Sequence, residues 1–145
     1  MAGKRRSAQL SELAEVIMSV SRRLNAEVRN DPGAIQLSSL ERMVMRFIDQ
    51  NPGTAPSRLG HRLGLCSSNT STALRSLESR GLVERVADPE DGRGVRLYPT
   101  QRASDNLVRV RARWAKLLAP LVPADIELRS TLTTLTALDE ALNPR

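Results

Sequence analysis

Apolar residues recur at intervals of three and four near the start of the chain: Leu10, Leu13, Ile17, Val20 and Leu24. That spacing places them on one stripe and predicts an amphipathic helix from about Ala8 to Asn30, stopped by Asp31-Pro32-Gly33. Ser38 and Glu41 stand three apart, the signature of a capping box, ahead of Leu40, Met43, Val44, Phe47 and Ile48. A second helix is therefore expected from Ser38 to the turn Asn51-Pro52-Gly53. Thr54 is placed to cap a short third helix, with Pro56 in its first turn, Leu59 and Leu63 inward and Gly64 as its stop. A fourth helix, about Ser67 to Arg80, turns Ala73, Leu74 and Leu77 inward and ends at Gly81.

The period then changes from that of a helix to that of a strand. Residues 82–87 alternate apolar and polar, a turn-rich tip follows over residues 88–94, and Val95-Arg96-Leu97-Tyr98 alternates again. These segments predict a β-hairpin. Thr100 can cap a fifth helix with the stripe Leu107, Val110, Trp114, Leu117 and Leu121, broken by Pro120 and Pro123. A last helix carries Leu128, Leu132, Leu135 and Leu142. The fold class expected is all-α with a small β-hairpin. Residues 1–7, with Lys4-Arg5-Arg6, are expected to form a mobile basic arm.

A chain of 145 residues suffices for one compact domain. Its aromatic content of 2% means that the core must be aliphatic. The net charge of +6 points to an anionic partner. Between Thr54 and Arg113 there are 11 Arg and Lys against 6 Asp and Glu, whereas the rest of the chain has 11 against 10. The excess thus belongs to the central segment. One cysteine, Cys66, excludes an internal disulfide and a Cys-rich zinc site. Cys66 and the single histidine, His61, lack a third group to make a nucleophilic site and lack the further ligands a metal needs. No enzymatic site and no cofactor are expected. No apolar run spans a bilayer and none follows the basic start as a secretory signal would, so a cytoplasmic protein with no membrane partner is the expectation.

The informative stretch is 54–99. Two short helices joined by Gly64-Leu65-Cys66-Ser67 can cross steeply enough for the second to enter a major groove. Its outward face would offer Ser67, Ser68, Asn69, Ser71, Thr72 and Arg75. Hydroxyls near a helix start suit phosphates, Asn suits adenine and Arg suits guanine. The same pattern also fits an ordinary solvated helix face. The hairpin after it reads as a wing, with Arg93 near Asp91 at the tip and Arg96 on the return strand. An Arg at such a tip is attracted into a minor groove, although charged hairpin loops are common. Cys66, just before the fourth helix, is a candidate for a lowered pKa and oxidation, with a plain turn residue as the commoner reading.

The runs Leu59-Gly60-His61-Arg62-Leu63-Gly64-Leu65, Leu77-Glu78-Ser79-Arg80-Gly81-Leu82-Val83-Glu84-Arg85, Asp88-Pro89-Glu90-Asp91-Gly92-Arg93-Gly94 and Pro99-Thr100 resemble the MarR family of winged helix-turn-helix regulators. So does Leu37-Ser38 at the opening of the second helix. The resemblance implies that residues 67–80 form a recognition helix and that Asp91 steadies Arg93 for the minor groove. It implies a winged helix-turn-helix lobe over 37–100 and a helical dimerisation region over 8–36 and 101–145, with a small-molecule pocket between them. The chain departs from many members at Ser67 and Thr72, where those carry basic residues. Dimerisation has a separate argument, because the long stripes on the first, fifth and sixth helices exceed what the central lobe can cover. The function expected is a homodimeric, sequence-specific binder of a pseudo-palindromic double-stranded DNA operator, acting as a ligand-responsive repressor. The alternatives are a non-sequence-specific architectural DNA-binding protein and a winged-helix protein-interaction module.

Overall fold

A computed structural model describes residues 2–142 of the chain. Met1 and residues 143–145, which belong to the expected arm and dimerisation region, lie outside the described residues. The elements run α1 (Ala2–Arg29), α2 (Ser39–Gln50), α3 (Pro56–Arg62), α4 (Ser67–Ser79), β1 (Val83–Ala87), β2 (Val95–Pro99), α5 (Gln101–Leu118) and α6 (Leu128–Leu142).

Local signals account for most boundaries. Ser38 caps α2 through the capping box: its hydroxyl accepts the Glu41 N–H, and the Glu41 carboxylate accepts the Ser38 N–H. Thr100 caps α5 by accepting the Ala103 N–H at 3.2 Å. Gly64 and Gly81 adopt φ of 62° and 66°, the left-handed conformation that ends α3 and α4 and that a side chain would disfavour.

Two expectations need correction. The basic residues Lys4, Arg5 and Arg6 lie within α1, so the helix begins six residues before the expected start at Ala8 rather than after a separate arm. The N-cap of α3 is Ala55, not Thr54. Thr54 is buried, and its backbone is committed elsewhere: its carbonyl accepts the Leu97 N–H at 2.9 Å, adding a bridge to β2.

β1 and β2 pair antiparallel, with Val83 opposite Pro99 and Ala87 opposite Val95. The main core lies between α2, α3, α4 and this hairpin. Val44, Ile48, Leu59, Leu74, Leu77, Leu82 and Leu97 are wholly or almost wholly buried there. A smaller cluster joins Val28 and Ala34 to Val110, with Trp114 packed against it. The α5 stripe closes only on the end of α1, through Val110 and Trp114, and the stripes of α1 before that and of α6 are left uncovered. Leu10, Leu13, Ile17 and Val20 are exposed, and so are Leu121, Leu128, Leu132, Leu135 and Leu142.

Polar bonds supplement the small cluster where α5 meets the end of α1 and the loop after it. Asn106 Oδ1 accepts the Ile35 N–H at 2.8 Å, and the Trp114 indole N–H donates to the Leu24 carbonyl at 3.1 Å. Arg109 grips Asp31 with two nitrogens, at 2.9 and 2.7 Å. That grip, aided by the Gly33 N–H, lowers the Asp31 pKa from 3.8 to about 2. Asp31 therefore contributes stability that is full above its unfolded value of 3.8 and is lost as pH falls towards 2. Asp31→Asn should lower stability at neutral pH and flatten the acid limb of a stability–pH curve between these values. Urea unfolding at a series of pH values measures this, and an unchanged acid limb would contradict it.

Candidate nucleic-acid interface

The joint between α3 and α4 is close because nothing stands between the helices at Gly60. A Cβ there would lie 2.9 Å from Oγ1 of Thr70. Thr70 is itself buried, with its hydroxyl donating to the Cys66 carbonyl at 3.1 Å. The Leu65 N–H donates to the Gly60 carbonyl at 2.9 Å, tying the turn back to α3. Two short helices thus cross with their backbones near each other, and α4 is held from below by Thr70, Ala73, Leu74 and Leu77, all buried.

The other face of α4 is free. Ser67, Ser68, Asn69, Ser71, Thr72 and Arg75 are all exposed. The pattern follows from 3.6 residues per turn: positions 70, 73, 74 and 77 share one side and positions 68, 71, 72 and 75 the other. Arg75 lies back along its helix, with Nε donating to the Ser71 carbonyl at 3.4 Å. No side-chain hydrogen bond caps the start of α4. Cys66 occupies the N-cap, exposed, with Sγ 3.1 Å from the Ser68 hydroxyl. That contact and the Asn69 N–H lower its thiol pKa.

The wing tip is tied by its own carboxylates. Asp88 Oδ1 accepts the Glu90 N–H at 3.0 Å, and Asp91 Oδ1 accepts the Arg93 N–H at 3.1 Å. Asp91 thus holds the backbone of Arg93. Among the described residues the Arg93 guanidinium makes no ion pair, and the residue is exposed. Arg96 differs from the expectation that it belongs with the open wing cations. Its Nε lies 2.9 Å from Asp88 Oδ2, and Nη1 donates to the Gly53 carbonyl at 3.4 Å. Arg96 therefore braces the hairpin to the turn between α2 and α3. The Glu90 N–H holds the Asp88 carboxyl below its usual range, and Arg96 helps it to outweigh the burial that would raise it.

Two further groups have no counterpart in the sequence reading. Glu41 reaches beyond its capping box to the Ser76 hydroxyl at 2.6 Å and to Arg80 at 3.3 Å. No local signal pairs positions 35 and 39 residues apart. Between α1 and α2 lies a groove of about 410 Å³ lined by Ile17, Met18, Ser21, Arg22, Asn25, Arg29, Ser39 and Arg42. Arg22 and Arg29 of α1 share this groove with Arg42 of α2, which donates to the Leu37 carbonyl at 2.6 Å and the Ser39 hydroxyl at 3.2 Å, and no local pattern shows that the two helices border one groove.

Residues 35–94 match a family model described as MarR family. The sequence has no match among curated proteins. Solved structures are similar over nearly the whole chain. The transcriptional repressor CouR bound to a 23-mer DNA duplex is 26% identical, with a TM-score of 0.63, covering 90% of this chain and 94% of that one. FabT of Streptococcus pneumoniae in complex with DNA is 24% identical, with a TM-score of 0.64, covering 91% and 98%. A MarR family protein from Bacillus stearothermophilus is 18% identical, with a TM-score of 0.70, covering 95% and 94%.

Gly60→Ala should force α3 and α4 apart and destabilise the protein by about 1–3 kcal/mol. The double variant with Thr70→Ala, which removes the clashing hydroxyl, should recover part of that loss. Denaturant midpoints of the two variants check this, and equal midpoints would show that the contact at Gly60 does not limit the approach.

Proposed function

We propose that the chain is a MarR-family winged helix-turn-helix DNA-binding transcription regulator, acting as a homodimeric, ligand-responsive repressor of a pseudo-palindromic operator. The observation that carries this reading is the mounting of α4. Its apolar face is buried and six of its polar residues, Ser67, Ser68, Asn69, Ser71, Thr72 and Arg75, are exposed on the opposite side. In the proposed complex α4 enters the major groove, where Asn69 and Arg75 meet base edges and the hydroxyls and helix start meet phosphates. Arg93 enters the minor groove from a tip whose backbone Asp91 holds. Arg96 supports the wing from behind instead of touching DNA.

Residues 37–100 form the reading lobe in this proposal, and 8–36 with 101–145 form the pairing region. The exposed leucines and valines of α1 and α6 support it. Met18 and Leu142 are 75% and 83% exposed, and the stripe of α6 lacks any buried residue. A single soluble chain rarely leaves so much apolar surface bare, and pairing of two copies would cover it. A two-fold dimer then presents two α4 helices to half-sites about 10 bp apart or a multiple of that.

The groove between α1 and α2 suits an effector that is anionic at one end and apolar at the other. Arg22 and Arg29 would hold a carboxylate, and Ile17 and Met18 would meet an aliphatic tail. The small number of aromatic residues, 2% of the chain, disfavours a flat ligand gripped by stacking. No helix among the described residues is long and apolar enough to cross a membrane.

Titration against the DNA upstream of its own coding region and against a random duplex, at several salt concentrations, tests the reading. The expected result is a preference for the upstream DNA at two chains per site. Equal affinity for both duplexes would favour an architectural protein and overturn sequence-specific binding. Arg75→Ala should relax preference at one base position by roughly 1–3 kcal/mol, and Arg93→Ala should weaken binding to every sequence and reduce the salt slope by about 1. Loss of affinity that is uniform for Arg75→Ala would move that residue from bases to phosphates. A medium-chain carboxylate should raise the apparent Kd, and the pair Arg22→Ala and Arg29→Ala should abolish the response. Release that persists in that pair would place the effector elsewhere.

A further inference from the structure

Glu41 connects the start of α2 to the end of α4. Its Oε2 accepts the Ser38 N–H at 2.7 Å. Its Oε1 accepts the Ser76 hydroxyl at 2.6 Å and faces Nη1 of Arg80 at 3.3 Å. The same Arg80 guanidinium donates through Nη2 to the Gln36 carbonyl. Ser76 lies on α4, and Arg80 is its C-cap residue. The Glu41 side chain is only 13% exposed. Burial alone would push its carboxyl up, but the Ser76 and Ser38 groups and Arg80 outweigh it and hold the carboxyl below the ordinary value.

Apolar packing cannot by itself place α4 sharply. Leu74 and Leu77 press it against the core, yet burial is non-directional and tolerates small rotations and slides. Hydrogen bonds to Ser76 and Arg80 are directional, and they fall one turn apart on the helix. They therefore fix both rotation and axial position. Ser76 is also two turns beyond Asn69 and one turn beyond Thr72, on nearly the same stripe. The stripe that faces outward at its start is thus fastened to Glu41 at its end.

We propose that Glu41, acting through Ser76 and Arg80, is a positioning residue for sequence recognition, setting the rotation and depth at which α4 presents Asn69 and Arg75. The proposal rests on α4 being the recognition helix. It makes the capping carboxylate of α2 do two things at once. It starts one helix and aims another, while the backbone just before α2 is held by the far end of the second helix through Arg80 and Gln36. Loss of the clamp should spare phosphate contacts, which tolerate a helix turned by a few degrees, and should harm base contacts, which do not.

The test uses the full chain with Ser76→Ala, which removes the link and leaves the capping box whole, and with Ser76→Thr, which restores a hydroxyl. Affinities are measured for the preferred upstream duplex and for a random duplex, and amide hydrogen exchange is measured on the free protein. Ser76→Ala should reduce the preference by roughly tenfold, the scale of one hydrogen bond to a charged group. Its affinity for random DNA should remain near that of the wild type, and its unfolding midpoint should fall by no more than the loss of one such hydrogen bond. Amides of residues 70–76 should exchange faster, and Ser76→Thr should return both the preference and the exchange towards the wild-type values. An unchanged preference, or an equal loss on both duplexes, overturns the proposal. If the wild type itself shows no preference, the recognition-helix reading fails on its own. Exchange in α4 then decides whether Glu41 holds the helix, and unchanged exchange in Ser76→Ala overturns that as well.

Discussion

Leu97 is the point at which the wing becomes part of the helical lobe. Its side chain is wholly buried among the residues of α2, α3 and α4. Its N–H donates to the Thr54 carbonyl, and its carbonyl accepts the Gly53 N–H at 2.8 Å. It also sits opposite Arg85 in the hairpin. Leu97 therefore ties β2 to the turn before α3 on one edge, while the hairpin register holds β2 to β1 on the other. A two-stranded hairpin alone is marginal in water. Anchored in this way, it holds a fixed place relative to α4.

The two regions of the chain are fastened by different physics. The lobe that carries α4 is closed by aliphatic burial around Ile48, Leu59, Leu74 and Leu77. α5 meets the end of α1 over a small apolar cluster and a row of polar contacts, Asn106 to Ile35, Arg109 to Asp31, Arg113 to Glu27 and Trp114 to Leu24. Buried apolar contacts are lost to water at full cost, whereas part-exposed ion pairs exchange with water at little cost.

Much of the site was legible in order along the chain. The capping box of Ser38 and Glu41, the glycine stops at Gly64 and Gly81, and the Thr100 cap are signals within four residues, and each marks a helix end in the structure. The outward set from Ser67 to Arg75 follows from periodicity once the inward leucines are known. Thr54 shows the limit of such reasoning. Its residue type suits a cap, but pairing with Leu97, more than forty residues away, takes its backbone and leaves its hydroxyl buried. Arg96 is similar. Its place on the wing was legible, but its pairing with Asp88 and the Gly53 carbonyl was not.

By itself the sequence determined the element order, the two-residue period of the wing, the polar face of α4 and the concentration of positive charge between Thr54 and Arg113. Each depends on spacing along a few turns or strand residues, where the chain's own geometry sets who shares a face. Only the tertiary structure decided which charges are spent and which are free. It paired Asp31 with Arg109, Glu41 with Ser76 and Arg80, and Asp88 with Arg96, and it left Arg75 and Arg93 exposed. The reason is that a charged side chain satisfies itself with whatever opposite group lies within reach. Reach is set by how helices far apart in sequence pack, which no local pattern encodes.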